Sequence, residues 1–172
     1  ASDSRIKLFR LEKNAGIQAA LKKGMESASG AYIARIDDDD VWADQKKLQK
    51  QVDFLKNNPE YVLVGTAVIV VDEVGQEQFR YQNPLSDSEI RNLILYRNCF
   101  THSTIFFDKK AAEKVGGYAQ GAEVRHIEDY DLWLRMGTEG KFANLADYCV
   151  KFQLRSQGAL SADNKLRQFK NQ

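Results

Sequence analysis

The chain has 172 residues, 43% hydrophobic and 28% charged, the proportions of an ordinary globular domain long enough to bury one core. Lys and Arg number 25 against 24 Asp and Glu, a net charge of +1, so no field of one sign points to nucleic acid as a partner. Only two cysteines occur, Cys99 and Cys149, without Cys or His neighbours at zinc spacing; a structural zinc or a disulfide framework is therefore not expected, and a reducing cytoplasm fits. The longest apolar run, around Tyr61–Val71, is too short to span a bilayer, and no signal peptide is visible at the start. Membrane association is expected to be peripheral at most, on the inner face, or supplied by residues outside this chain.

In chain order, Ile6–Phe9 reads as a short strand and Asn14-Ala-Gly16 as a break before a helix. In that helix Ile17, Ala20, Leu21, Gly24, Met25 and Ala28 fall on one stripe of period 3.6, which predicts a buried face, with Gly24 packed closely on a sheet. Ser29-Gly30 ends it, and Tyr32–Ile36 is a strand that runs into Asp37, Asp38, Asp39 and Asp40. After Trp42, Asp44 is placed to cap a helix to Asn57 or Asn58 with Leu48, Val52 and Leu55 as its apolar seam, and Pro59 stops it. Tyr61–Val71 is a buried strand by composition, followed by a turn at Asp72–Gly75 and a return strand at Phe79–Tyr81. Ser86-Asp-Ser-Glu89 is a capping box for a helix to about Tyr96. Ser103–Phe107 reads as a strand, Asp108 as the cap of a brief helix ending at Gly116-Gly117, and Glu128 as the start of a further helix. Short strands follow from Phe142, and a polar helix from Ala162. Strands alternating with helices predict a single α/β domain with a mixed sheet flanked by helices.

Four adjacent carboxylates repel one another unless a cation relieves the crowding. They stand beyond the carboxyl end of a strand, where open α/β sheets bind ligands. A solvated acidic turn is the plain alternative. The helix from Glu128 carries a second acidic group. Asp129 shares a stripe with Leu132, Trp133 and Met136, whereas Glu128, Asp131 and Arg135 share another, where Asp131 and Arg135 can pair toward solvent. Acids in a first helical turn complement the helix dipole, but that does not explain an acid on the apolar stripe. One economical use of both centres is an oxygen-ligated Mg²⁺ or Mn²⁺ holding a diphosphate, beside a carboxylate base for an acceptor hydroxyl.

These residues resemble a known family. Gly30-Ala-Tyr-Ile-Ala-Arg-Ile-Asp-Asp-Asp-Asp-Val-Trp42, with Lys47-Leu48 and Gln51, looks like the Asp-x-Asp segment of family-two glycosyltransferases. Val115-Gly-Gly-Tyr118 and Glu128-Asp-Tyr-Asp-Leu-Trp-Leu-Arg135 are similar to later blocks of that family, Asn98–Phe107 with His102-Ser-Thr104 fits the strand between them, and Arg155 and Ser161 resemble the closing block. The resemblance implies a GT-A-like domain that binds a nucleotide-diphospho-sugar and transfers the sugar with inversion to a glycan or glycolipid acceptor. By position, Asp37, Asp38 and Asp39 belong to the nucleotide-sugar-binding segment. Asp39 with Asp37 would hold the Mn²⁺ or Mg²⁺, and Asp129 would be the catalytic base. Glu128, His102 and Trp133 would line the acceptor region.

Two departures accompany the resemblance. The strand–helix–strand that normally opens the family's nucleotide site has no counterpart, so the chain reads as a catalytic-domain fragment lacking the first strands. Exposed sheet edges in such a fragment predict homodimerisation. Lys23 also stands where Asn is common. Polysaccharide or glycolipid assembly on the cytosolic side is the implied setting. Competing readings are a haloacid-dehalogenase-like phosphatase, with Asp37 as nucleophile and Asp39 as acid/base, and a non-catalytic glycan-binding module on the same scaffold. An EF-hand fails, because from Asp37 the sixth position is Trp42 and the twelfth is Leu48.

Overall fold

The structure, a computed structural model, describes residues 3–154. Arg155, Ser161 and the polar helix expected from Ala162 lie outside the described residues. The elements in order are α1 (Gly16–Ser27), β1 (Tyr32–Ala34), β2 (Val41–Trp42), α2 (Lys47–Asn57), β3 (Tyr61–Val71), β4 (Glu77–Tyr81) and α3 (Asp87–Leu93). A 3₁₀ turn at His102–Thr104, β5 (Phe106–Asp108), α4 (Lys109–Lys114), α5 (Glu128–Met136) and β6 (Lys141–Gln153) follow. The strands form one mixed sheet in the order β1-β5-β3-β6-β2, with β4 paired to β3. The β3–β6 pair is parallel and the others are antiparallel.

At the centre, β3 is buried along ten of its eleven residues. A strand covered on both faces needs an unbroken apolar run rather than alternation, which Tyr61–Val71 supplies. Beside it the chain from Lys141 forms a single 13-residue strand instead of the several short ones expected. Local signals held where the partner is local. Ser86 accepts from the Glu89 amide and Glu89 reaches back, completing the capping box, though α3 ends at Leu93 rather than near Tyr96. The Asp108 side chain accepts from the Ala111 amide at 2.8 Å and caps α4.

Four expectations are corrected. Ile6–Phe9 is not a strand; Ile6 and Leu8 are 77% and 88% exposed, since no neighbouring strand offers ladder partners among the described residues. On α1 only Met25 is buried. Ala20 and Gly24 are exposed, and a Cβ at Gly24 would meet nothing within 4 Å, so no sheet packs there. That stripe instead forms one wall of an open groove of about 570 Å³, whose other wall is Tyr32–Asp38. Helix α2 buries Lys47, Gln51 and Leu55, not the Leu48–Val52–Leu55 seam; Leu48 is exposed. Burial of the two polar residues is compensated by hydrogen bonds, from Lys47 Nζ to Gln51 Oε1 at 2.8 Å and from Gln51 Nε2 to the carbonyls of Val64 (2.9 Å) and Thr104 (2.8 Å). The strand expected over Ser103–Phe107 starts only at Phe106, because His102–Thr104 turns first.

Candidate active site

The strand before the acidic run stops at Ala34, and the chain turns so that the Asp40 amide donates to the Asp37 carbonyl at 3.3 Å. One oxygen each of Asp37, Asp39 and Asp40 then lies within 4.8 Å of the others. Asp38 is exposed and borders the groove, so the converging group contains Asp40 in place of Asp38. Asp40 is 7% exposed. Its Oδ1 accepts from the Gln153 amide at 3.1 Å, and its Oδ2 is buried without a hydrogen-bond partner. Burial pushes the Asp40 carboxyl up to about 6, opposed by the Ser103 hydroxyl and the Gln153 amide and reinforced by Asp37 and Asp39. A cluster made only of carboxylate oxygens, one of them buried and unpaired, fits a hard divalent cation such as Mg²⁺ or Mn²⁺.

Two groups hold this loop, and the sequence pattern had not singled them out. Both guanidinium nitrogens of Arg35 donate to the Asp37 carboxylate. Ser103 accepts the Asp37 amide at 2.9 Å, and its carbonyl accepts from Trp42 Nε1 at 3.2 Å. The Trp42 ring in turn lies 4.6 Å from Lys47 Nζ, which explains why α2 buries a lysine beneath the loop.

Asp129 opens α5 and is half-buried. Asn98 Nδ2 donates to its Oδ2 at 2.9 Å, while Asn98 Oδ1 accepts from the Phe100 amide at 3.1 Å, so the donor is fixed from behind. Burial raises the Asp129 carboxyl above its ordinary value, against hydrogen bonds that lower it. Glu128 is buried, with Oε2 unpartnered, which corrects its placement on the solvent stripe with Asp131 and Arg135. Asp131 and Arg135 do pair, at 2.6 Å, yet Arg135 also donates to the Val115 and Gly117 carbonyls, tying α5 to the Gly-Gly-Tyr turn.

Tyr118 lines the groove together with Asp37 and Asp38. Its hydroxyl is 2.8 Å from His102 Nε2. Burial pushes that phenol up, Arg35 pulls it down, and Asp129, Glu128 and Asp37 push it further up. Burial also holds His102 well below its usual value, so the ring is neutral. Trp133 is fully buried and packs edge-on against Phe107 (5.6 Å), His102 (6.0 Å) and Phe100 (6.2 Å). It supports the floor under His102 and is not a surface an acceptor can touch. Arg35, Ser103, Asn98 and Tyr118 all lie within the family-like blocks; Ser103, Asn98 and Tyr118 acquire their roles through partners distant in sequence, and Arg35 through Asp37, two positions on.

A mixed sheet flanked by helices, with a carboxylate cluster at a strand end and a half-buried carboxylate in the first turn of a helix, is a GT-A-like glycosyltransferase architecture. The fold is similar to that of Staphylococcus aureus TarS residues 1–349 (TM-score 0.62, 15% identity, covering 83% of this chain and 42% of that one). It is also similar to the Pyrobaculum calidifontis mannosyltransferase PcManGT solved with GDP-Man and Mn²⁺ (TM-score 0.57, 16% identity, 86% and 39% covered). The Glycosyl transferase family 2 profile matches residues 1–116. The amylovoran biosynthesis glycosyltransferase AmsE of Erwinia amylovora is 37% identical over 142 residues, 82% of this chain and 52% of that relative. The putative glycosyltransferase EpsE of Bacillus subtilis is 36% identical over 136 residues, 79% and 48%. The chain belongs to glycosyl transferase family 2, and it spans about half the length of these two curated relatives. Family membership displaces the phosphatase reading. No helix among the described residues is long and apolar enough to cross a membrane.

Proposed function

We propose that these residues serve the transfer of a sugar from a nucleotide-diphospho-sugar to an acceptor hydroxyl, with inversion at the anomeric carbon. Asp37 and Asp39, with Asp40 behind them, would hold Mn²⁺ or Mg²⁺, and Asp38 would border the donor at the groove. When bound, the cation would neutralise charge growing on the departing diphosphate. Asp129 accepts the acceptor's hydroxyl proton as its oxygen bonds to the anomeric carbon, and the electron pair of the breaking carbon–oxygen bond leaves with the diphosphate. Asn98 aims the Asp129 carboxylate, and burial lifts its basicity toward the range a general base requires. His102 and Glu128 would bound the acceptor, with Trp133 beneath. The observation that carries this reading is the carboxylate group at the strand end, one oxygen each of Asp37, Asp39 and Asp40 within 4.8 Å of the others, in a chain of glycosyl transferase family 2.

The donor and acceptor classes draw support from an Escherichia coli relative, WfgD, 30% identical over 179 residues and named a UDP-Glc:α-D-GlcNAc-diphosphoundecaprenol β-1,3-glucosyltransferase. Names of other relatives, among them an O-antigen biosynthesis enzyme, support assembly of an envelope polysaccharide at the cytoplasmic face. Because the chain spans about half of its first relatives, transfer is proposed at the scale of their full length. The 172-residue chain reads as a single catalytic-domain piece that by itself binds a nucleotide sugar weakly. Calorimetric titration with UDP and Mn²⁺ yielding micromolar affinity would overturn that. The open edge of β1 beside the half-covered stripe of α1 supports pairing of two copies, and a monodisperse monomer in light scattering counts against it. The decisive assay compares Asp129→Asn and Asp39→Asn in the whole protein. Transfer should collapse in both, with Mn²⁺ binding lost only in Asp39→Asn; retained transfer in Asp129→Asn would refute the assigned base.

A further inference from the structure

Arg35 and Asp37 both line the groove, with Asp38 and Tyr118. The Arg35 side chain is 13% exposed and forms a two-pronged pair with Asp37. Both Asp37 oxygens are engaged by it, and Oδ2 additionally accepts the Ser103 hydroxyl at 3.3 Å. Asp37 is thus saturated, while the neighbouring Asp40 Oδ2 has no partner. One oxygen each of Asp37, Asp39 and Asp40 lies within 4.8 Å of the others, so Arg35 and a divalent cation would draw on the same carboxylate, that of Asp37.

We propose that Arg35 is an exchangeable counter-ion, pairing with Asp37 while the site is empty and passing to the diphosphate oxygens of the donor when a divalent cation takes Asp37. The proposal rests on the reading of the acidic loop given above and adds a residue which that reading does not use. A guanidinium presents a planar fork that suits a carboxylate and a phosphate equally well, so the exchange replaces one pair of hydrogen bonds with another. Once a cation takes Asp37, the guanidinium has lost its carboxylate partner and stands at the groove wall with its fork open to a phosphate. Arg35 lines the groove together with Tyr118, so a diphosphate held by the guanidinium would lie in that groove. No bond is made or broken in the exchange.

The test uses the 172-residue chain, with Mn²⁺ alone followed by labelled inorganic pyrophosphate under saturating Mn²⁺, which avoids any demand on a nucleoside pocket. Mn²⁺ binding is read by the loss of the free-ion electron paramagnetic resonance signal, and pyrophosphate binding by equilibrium dialysis. In Arg35→Gln, Mn²⁺ should bind about tenfold tighter and pyrophosphate about tenfold weaker, the change expected for one charge-assisted pair. Opposite shifts are the signature of exchange. No change in either marks a static ion pair and overturns the proposal; weakening of both marks a scaffold role and overturns it too. If Arg35→Gln fails to fold, Arg35→Lys carries the test, retaining charge without the fork. With unaltered melting, it should lose pyrophosphate severalfold, and unchanged pyrophosphate binding is the overturning result. If the unmodified chain binds no Mn²⁺, or Asp39→Asn binds it equally, the cation site falls and the exchange with it; Mn²⁺ binding with Arg35 inert overturns the exchange alone.

Discussion

The Ser103 hydroxyl accepts the backbone amide of Asp37 at 2.9 Å across 66 positions of sequence. Ser103 is 1% exposed and also returns a bond to Asp37 Oδ2 and takes one from Trp42, so a single small residue fixes the acidic loop from beneath. Ser103→Ala should remove one partner of a part-buried amide and cost about 1–2 kcal/mol. The same variant should weaken Mn²⁺ binding severalfold, because the carboxylates lose their anchor, while Ser103→Thr, which retains the hydroxyl, should lose less of both. Urea denaturation together with Mn²⁺ titration measures these effects, and an Ala variant equal to the parent in each would remove the anchoring role.

Asn98 bears on Asp129 in a different way. Its amide hydrogen bond lowers the Asp129 carboxyl, whereas burial, the larger influence, raises it. Asn98→Ala should therefore raise it further. A general base works deprotonated, so the acid limb of the transfer profile should move to higher pH, with the alkaline limb unmoved. Asp129→Asn should reduce transfer by about 10²–10⁴-fold with the fold intact. Its stability should also depend less on pH. A carboxyl raised by folding adds stability that is complete below the unfolded value, 3.8, and is lost as pH rises through the folded one. The slope of melting temperature against pH, parent against variant, reads this directly.

What the sequence reveals about this fold follows the distance to each residue's partner. Ser86 and Glu89, or Asp108 and Ala111, meet within one turn, and the caps are legible as written. Tyr61–Val71 is legible because burial on both faces demands one composition. Asp129 was visible on the inward stripe of its helix. Ile6–Phe9 has strand composition but no paired strand among the described residues, and composition cannot supply one. Lys47 and Gln51 are polar, so a search for an apolar seam passes over them, although buried carbonyls of Val64 and Thr104 make Gln51 a suitable core residue. Arg35 lies only two positions from Asp37, close enough to be found. Its significance depends on the groove, which exists only once α1 and β1 are in place.

Lys47 permits a prediction with a definite sign. It is 1% exposed, and burial pulls its ammonium down from 10.5 to about 8. A base whose folded value is depressed binds its proton less well in the folded chain. The resulting penalty is complete below about 8 and vanishes as pH rises through the unfolded value, 10.5. At pH 7 the depression corresponds to about 3 kcal/mol, offset in part by the Trp42 ring and the Gln51 bond. Lys47→Met should gain stability relative to the parent at pH 7, less whatever Gln51 Oε1 loses by going unpaired. That advantage should shrink between pH 8 and 10. Paired urea denaturations across this range test it, and a difference independent of pH would show that Lys47 carries no such penalty.

Gly116 and Gly117 offer a test of how the Tyr118 turn holds α1. Both have positive φ, 87° and 64°, where a side chain costs about 1–2 kcal/mol. Only Gly117 adds a contact: its Cβ would stand 2.4 Å from Met25 Cε, whereas one at Gly116 would meet nothing within 4 Å. Met25 is the one buried residue of α1, so Gly117→Ala should loosen that helix along with the groove it walls. Gly117→Ala should therefore destabilise more than Gly116→Ala. Met25→Ala in the Gly117→Ala background should cost less than it does alone, since the methyl then fills space the methionine has vacated. A double-mutant cycle on Gly117 and Met25 measures the coupling, with Gly116 and Met25 as the control cycle. Strict additivity in both would mean that backbone conformation alone, and not the contact with α1, requires glycine at 117.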